Sequence, residues 1–264
     1  MKVKERRPIW WSYRPPTRRD IRQFEKTPSL ERLSRERRTR IKILRAGRDD
    51  AMDRIARRLE RADGREPANS SCCPINAQCF QRYAASRMLK AFERRSEEKG
   101  KGKLWFVTVA DQEDRIARGK LHELDVQALQ RRMRKRLKRT LPGDVVVFCC
   151  LELKWEDETE TYLPHHHIFV HGCEEFQVEP LRRFYTGKND DGSHKMVVKP
   201  CDDPLYRAAY ANKINVYRST KRTRKTRYPN RRLRRRDFRE HMLFLSNHDL
   251  TDFVFGIGAR LDGR

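Results

Sequence analysis

Four of the eight histidines of this 264-residue chain lie within one ten-residue stretch, LPHHHIFVHG at 163–172. The Ile, Phe and Val residues of the stretch predict a buried strand. Successive side chains on a strand point to opposite faces, so His165 and His167 share a face and His166 points away from it. Those two positions are about 6.6 Å apart along a strand, so both imidazoles can reach one cation. His171 shares their face but lies about 13 Å beyond His167.

A third metal ligand is expected from a neighbouring strand. Glu152 is an acid within the apolar run VVVFCCLELKW, and the acidic segment EDETET predicts a hairpin that pairs this run with the histidine strand. A buried carboxylate without a cation or partner costs several kcal/mol, so Glu152 either binds a metal or lies on a solvated face. Two imidazoles and one carboxylate suit Mg²⁺ or Mn²⁺ with a phosphate, or Fe(II) with dioxygen.

A second set of reactive side chains lies in YRAAYANK at 206–213. Tyr206 and Tyr210 are four residues apart and Lys213 follows after three, so on a helix all three lie on one side. A buried aromatic stripe would explain the tyrosines, but a core face would not favour the lysine. Nucleophilic attack by a phenol explains all three, because a phenol with a pKa of about 10 needs a polarised target and a cation that stabilises developing charge.

The charge of the chain points to a polyanionic partner. Lys and Arg number 62 against 37 Asp and Glu, which gives a formal net charge of +25. Such an excess raises association rates with nucleic acid and supplies phosphate contacts, so nucleic acid is the expected partner. The sequence has no apolar run of membrane-spanning length and no secretory signal, and its seven irregularly spaced cysteines favour a reducing, cytoplasmic setting. No phosphate-binding glycine loop is present, so no small-molecule cofactor is expected.

Hydrophobic periodicity predicts an α+β fold, an antiparallel sheet with helices packed on it. Polar and basic extensions flank this core, and we divide the chain into an Arg-rich arm at 1–70, a catalytic domain at 71–220 and a basic segment with a tail at 221–264. One or two charged helices are expected within the arm. The remaining expected elements are helices at 77–98, 125–141 and 204 to about 218, and strands at 104–110, 145–155 and 163–172.

Three of these segments resemble, in order, the motifs of the HUH superfamily of single-strand DNA endonucleases. WFVTVA at 105–110 is similar to the first motif, a core strand. PHHHIFV at 164–170 is similar to the second, with His165 and His167 at the ligand positions and His166 between them. YRAAYANK at 206–213 is similar to the two-tyrosine form of the third, found in rolling-circle replication initiators of phages and plasmids.

The resemblance implies a palm of antiparallel strands with helices on one face and a metal-dependent endonuclease and strand transferase. His165, His167 and Glu152 would hold Mg²⁺ or Mn²⁺. Tyr206 and Tyr210 would be the nucleophiles that form 5′-phosphotyrosine links, with Lys213 as their helper. The implied substrate is single-stranded or hairpin origin DNA in a bacterial cytoplasm, and strand separation and synthesis would need a host helicase and polymerase.

Several alternatives are compatible with parts of the sequence. Within the superfamily, a transposase or relaxase has the same motifs. A noncatalytic basic nucleic-acid-binding protein explains the charge but not the histidines and tyrosines, and an oxygenase with two histidines and a carboxylate explains only the metal. Cys72, Cys73 and Cys79 resemble a degenerate form of a cysteine-containing zinc motif that precedes the first motif in some initiators. No fourth ligand is evident, and we expect no zinc there.

Overall fold

The computed structural model describes residues 30–47, 49–61, 71–100, 102–189, 192–211, 217–219 and 230–258. These residues form the expected α+β fold. The helices are α1 (Leu30–Arg45), α2 (Asp50–Arg61), α3 (Pro74–Lys99), α4 (Val126–Thr140), the short α5 (Glu175–Val178), α6 (Pro204–Ala211) and α7 (Arg235–Ser246). The strands are β1 (Leu104–Ala110), β2 (Ile116–Ala117), β3 (Val146–Glu156), β4 (Thr161–His171), β5 (Met196–Pro200), β6 (Tyr217–Ser219), β7 (Asn230–Arg232) and β8 (Val254–Ile257).

The strands form one sheet in the order β5-β1-β4-β3-β6-β7, with β2 also pairing with β4 and β8 with β3. All pairings are antiparallel except the short parallel contact between β3 and β6. The expected hairpin joins β3 to β4 and sets their register, which places Glu152 opposite His165 and Cys150 opposite His167. On the other side of β4, Thr108 of β1 lies opposite His167.

Helices cover both faces of this sheet, which corrects the expectation of helices on one face. One face, which we call the histidine face, carries Phe106, Phe148 and Phe169, and the buried faces of α3 and α6 pack on these rings. The opposite face carries Val107 and Ile168 and is covered by α4 and by the 3-10 helix Glu179–Phe184. Both faces need cover because β3 and β4 are apolar on each side.

The helices α1 and α2 confirm the expected charged helices of the arm, but they do not stand apart from the core. Their apolar residues form one buried cluster with α7 and with the far end of the hairpin, where Trp155 and Tyr162 are fully buried. Arg40 of α1 is buried as well, and its guanidinium donates to the Cys72 carbonyl at 2.7 Å. The amphipathic pattern of α2, with Ile55 and Leu59 buried, explains this docking.

The expected helix from 204 to about 218 is confirmed over Pro204–Ala211, which is α6, but its expected end is wrong, because residues 217–219 form strand β6. Residues 212–216 lie outside the described residues. β6 is held between β3 and β7, and its aromatic and hydroxyl residues suit a strand. The helix expected at 77–98 is confirmed: Pro74 occupies its first turn, and Gly100, at φ 84°, follows its last residue. Among the described residues, no helix has the length and apolarity needed to cross a membrane.

Candidate active site

His167 and Glu152 form the centre of the candidate site. His167 Nε2 lies 2.8 Å from Glu152 Oε2, and the two residues come from adjacent strands of the hairpin. The His167 side chain is only 4% exposed and that of Glu152 is 17% exposed. The sequence predicts that Glu152 either binds a metal or lies on a solvated face. In the structure this carboxylate lies on the mostly buried histidine face and contacts an imidazole.

β1 holds the His167 ring from the other side. Phe106 stacks on the imidazole with ring centroids 5.5 Å apart and an interplanar angle of 13°. Thr108 Oγ1 lies 3.4 Å from His167 Nδ1, and a hydroxyl can donate to or accept from that nitrogen. The ring thus has contacts on its face and at both nitrogens, which fix its orientation.

His165 lies next to this pair, as the alternation of the strand predicts. It is half-buried, it faces Glu152 across the register, and its ring centroid is 6.4 Å from that of His167. The two rings stand at 71° to each other. The His165 imidazole therefore borders the Glu152–His167 pair.

Helix α6 places one of the predicted nucleophiles at the histidines. The Tyr210 ring meets the His167 ring edge-on, with centroids 5.6 Å apart at 68°, and Tyr210 is 37% exposed. A phenol in this position can contact both the imidazole and a substrate in solvent. Tyr206 lies one turn earlier in α6, but its side chain, like all of Lys213, lies outside the described residues.

Sequence reasoning missed Arg207, the first of the three residues between the two tyrosines. Its guanidinium carbon lies 5.3 Å from the centroid of the Phe106 ring, which also stacks on His167. A cation over an aromatic face is a favourable contact, and here it keeps positive charge near the site. The only sequence signal was its position within the tyrosine motif, which does not reveal that α6 packs on Phe106.

The other polar groups of the hairpin are excluded from this chemistry by burial. Burial and the charge of Glu152 raise the pKa of Cys150 to about 12, so this thiol stays protonated at neutral pH. His166 lies on the opposite face, where burial and then the charge of Arg132 lower its pKa to about 3. His171 stacks on Phe92, with its Nε2 3.2 Å from Ser96 Oγ.

The distance between the Glu152 and His167 ligand atoms can be compared with the spacing of ligand atoms around a hard divalent cation. Ligand atoms bound at about 2.1 Å and at right angles are about 3 Å apart, which is close to the 2.8 Å between His167 Nε2 and Glu152 Oε2. In the described part of the chain, however, no three His, Cys, Asp or Glu side chains already form a metal site. Glu152 and His167 fit as two ligands, whereas His165 does not converge on them in this conformation.

Cys72 and Cys73 directly precede helix α3, and Cys79 lies within it. Cys72 and Cys73 are buried, and Cys72 Sγ lies 3.1 Å from the Met242 carbonyl oxygen, in the cluster that joins α3 to α7. Cys79 is partly exposed, and burial raises the pKa of its thiol. Cys72 therefore has a packing role between these helices.

The fold and site define an α+β protein in which one face of the sheet carries a carboxylate and two neighbouring imidazoles, with a tyrosine of helix α6 in contact with one of them. Comparison of the chain with protein-family models, with curated proteins and with solved structures finds no significant match.

Thr108 provides a test of how His167 is oriented. We expect Thr108→Val, which keeps the side-chain shape but removes the hydroxyl, to weaken Mn²⁺ binding about tenfold because His167 Nδ1 loses its polar neighbour. Isothermal titration with Mn²⁺ measures this directly, without any assay of activity. Unchanged affinity would show that Phe106 alone orients the ring.

Proposed function

We propose that this protein is a metal-dependent single-strand DNA endonuclease and strand transferase of the HUH type that initiates rolling-circle replication. The observation that carries the proposal is the contact between Tyr210 and His167, with His167 hydrogen-bonded to Glu152. A nucleophile, an imidazole and a carboxylate come from α6, β4 and β3, far apart in sequence. A structural aromatic stripe would not require a partly exposed phenol at a buried imidazole–carboxylate pair.

The chain's residues support the following reaction. The Tyr210 oxygen attacks the scissile phosphorus, a new O–P bond forms, and the bond from phosphorus to the 3′ oxygen breaks. The phenol loses its proton in this step, and the released 3′ oxygen gains one. One phosphodiester replaces another, so rejoining needs no nucleotide cofactor. Glu152 and His167, with His165 beside them, would hold Mg²⁺ or Mn²⁺, which when bound polarises the phosphate and offsets negative charge in the transition state.

The remaining roles follow from the sequence resemblance. Tyr206 would perform a second cleavage, and Lys213 would assist the phenols. The released 3′-OH would prime synthesis by a host polymerase after a host helicase separates the strands, in a bacterial cytoplasm. The net charge of +25 supports DNA as the substrate. A noncatalytic DNA-binding protein would share this charge but would not need Tyr210 at His167.

The proposal predicts a covalent protein–DNA adduct. The full chain is incubated with Mn²⁺ and end-labelled single-stranded DNAs, including hairpins, then denatured and separated by electrophoresis. We expect an adduct that disappears with chelator and in the variant Tyr206→Phe plus Tyr210→Phe. Tyr185→Phe is the matched control, because Tyr185 is buried on the opposite face of the sheet. An adduct that persists in the double variant would refute the nucleophiles, and no adduct with any DNA would favour a binding protein.

A further inference from the structure

A basic cleft lies at the end of the sheet where β3 begins and β4 ends. It has a volume of about 630 Å³ between the second half of α3 and the segment Gly143–Val146, with Gly258 also in its wall. Its cationic side chains outnumber its carboxylates five to two. The cations are Arg87, Lys90, Arg94, Arg95 and Lys99, and the carboxylates are Glu98 and Asp144.

One of the carboxylates is already neutralised. The Arg95 guanidinium donates from Nε to the Asp144 carbonyl at 2.9 Å and from Nη2 to the Asp144 carboxylate at 3.1 Å. It also lies against Gly172, where an added Cβ would be 3.2 Å from it. Arg95 is thereby fixed in place, and its side chain is only 11% exposed. Glu98 is left to oppose the other cations of the cleft.

Lys90 and Arg94 are exposed on one side of α3, four residues apart. Neither has a carboxylate partner within the described part of the chain, so their charge is available to a ligand. From Arg87 to Lys99 the helix rises about 18 Å, which is longer than a single phosphate. A row of cations of this length suits successive phosphates of a polymer.

The cleft is connected to the candidate site through the histidine face. Phe92 of α3 stacks on His171 with centroids 5.2 Å apart, and His171 follows His167 on the same face of β4 by about 13 Å. The helix that lines the cleft also packs beside α6, which carries Tyr210. A strand with one phosphate at Tyr210 is therefore within reach of the cleft.

We propose that this cleft binds the sugar–phosphate backbone of single-stranded DNA next to the nucleotides at Tyr210. The identity of the bound strand rests on the proposed function, whereas the binding contacts do not. The Lys90 ammonium and the Arg94 guanidinium contact phosphates. Arg95 stabilises the wall of the cleft through its hydrogen bonds to Asp144. The cleft lies outside the Arg-rich arm at 1–70.

Fluorescence anisotropy with a labelled single-stranded oligonucleotide in chelator tests the binding without cleavage. We expect Lys90→Ala plus Arg94→Ala to raise Kd on the order of tenfold in 0.1 M salt. We also expect the slope of the logarithm of the association constant against the logarithm of salt concentration to become less steep by about 1.4, or about 0.7 for each lost phosphate contact. The matched control is Lys135→Ala plus Arg139→Ala, an exposed lysine and arginine four residues apart on α4, which covers the opposite face of the sheet. An equal loss in this control would show that only net charge matters and would overturn the proposal.

The adduct assay separates this proposal from the proposed function. The cleft variant is expected to need more DNA for half-maximal adduct but to reach the wild-type rate at saturation, because Tyr210 and His167 are unchanged. If the cleft variant bound DNA more weakly but the wild type formed no adduct, the binding role of the cleft would stand and the endonuclease activity would be rejected. Wild-type binding and salt dependence in the variant, together with a normal adduct, would reject the cleft and keep the endonuclease. A larger loss with duplex than with single-stranded DNA would overturn the assignment to a single strand.

Discussion

Replacing His167 by alanine is expected to lower the rate of adduct formation on the order of 10²–10³-fold. His167 contacts side chains from three other elements of the candidate site: it is hydrogen-bonded to Glu152, stacked on Phe106 and in edge contact with Tyr210. Its loss removes a metal ligand and leaves the Glu152 carboxylate without its imidazole. The measurement is the single-turnover rate of adduct formation at saturating DNA over a series of Mn²⁺ concentrations.

The strand supplies a matched control for this experiment. His171 lies on the same face of β4 but contacts Phe92 and Ser96 rather than the carboxylate, so His171→Ala is expected to keep a rate close to that of the wild type. Circular dichroism and thermal unfolding check that both variants are folded. If both replacements lowered the rate equally, we would attribute the effect to a disturbed β4 strand and not to the loss of a metal ligand.

Glu152→Gln separates charge from shape at the same site. The amide keeps a hydrogen bond to His167 but removes the negative charge that a divalent cation needs. We therefore interpret a parallel loss in Glu152→Gln and His167→Ala as evidence for a shared ligand. A normal rate in Glu152→Gln would leave His165 and His167 as the only candidate ligands from the sequence.

The part of the site that depends on local pattern could be predicted from the sequence. Strand alternation places His165 and His167 together and His166 apart, and the short hairpin between β3 and β4 places Glu152 beside them. Both effects act over a few residues or across one turn. For the same reason the amphipathic helices and the core strands were predicted with nearly correct bounds.

Contacts between distant segments could not be predicted in this way. Nothing in the sequence of α6 shows that Arg207 lies over Phe106, about a hundred residues earlier. The position of Tyr210 beside His167 was expected only from the motif resemblance and not from periodicity. The end of α6 was misplaced because the residues after it pair with β3 and β7, and such pairing overrides helical pattern. The helices of the arm likewise pack into the buried cluster that contains Trp155, through tertiary contacts that their periodicity alone does not specify.

The same limit applies to a buried ion pair that holds α7 to the hairpin. Asp237 is 1% exposed and accepts from Arg118 Nε at 2.8 Å and Nη2 at 3.3 Å, although the two residues are 119 positions apart in sequence. Arg118 also pairs with Glu160 at 2.7 Å and lies over the Trp155 ring. One guanidinium thus joins the hairpin turn, the buried aromatic end of β3 and the C-terminal helix.

We expect Asp237→Ala to lower the free energy of unfolding by about 3–5 kcal/mol, because it leaves a largely buried guanidinium without its main partner. Urea denaturation followed by circular dichroism measures the loss. Glu31→Ala is the matched control: its pair with Arg35 is highly exposed, and we expect a change below about 0.5 kcal/mol. The double variant Arg118→Met plus Asp237→Leu should recover most of the loss, since apolar groups can replace both charges. A loss equal to that of Glu31→Ala would show that Glu160 alone satisfies Arg118 and that α7 is held by its apolar contacts.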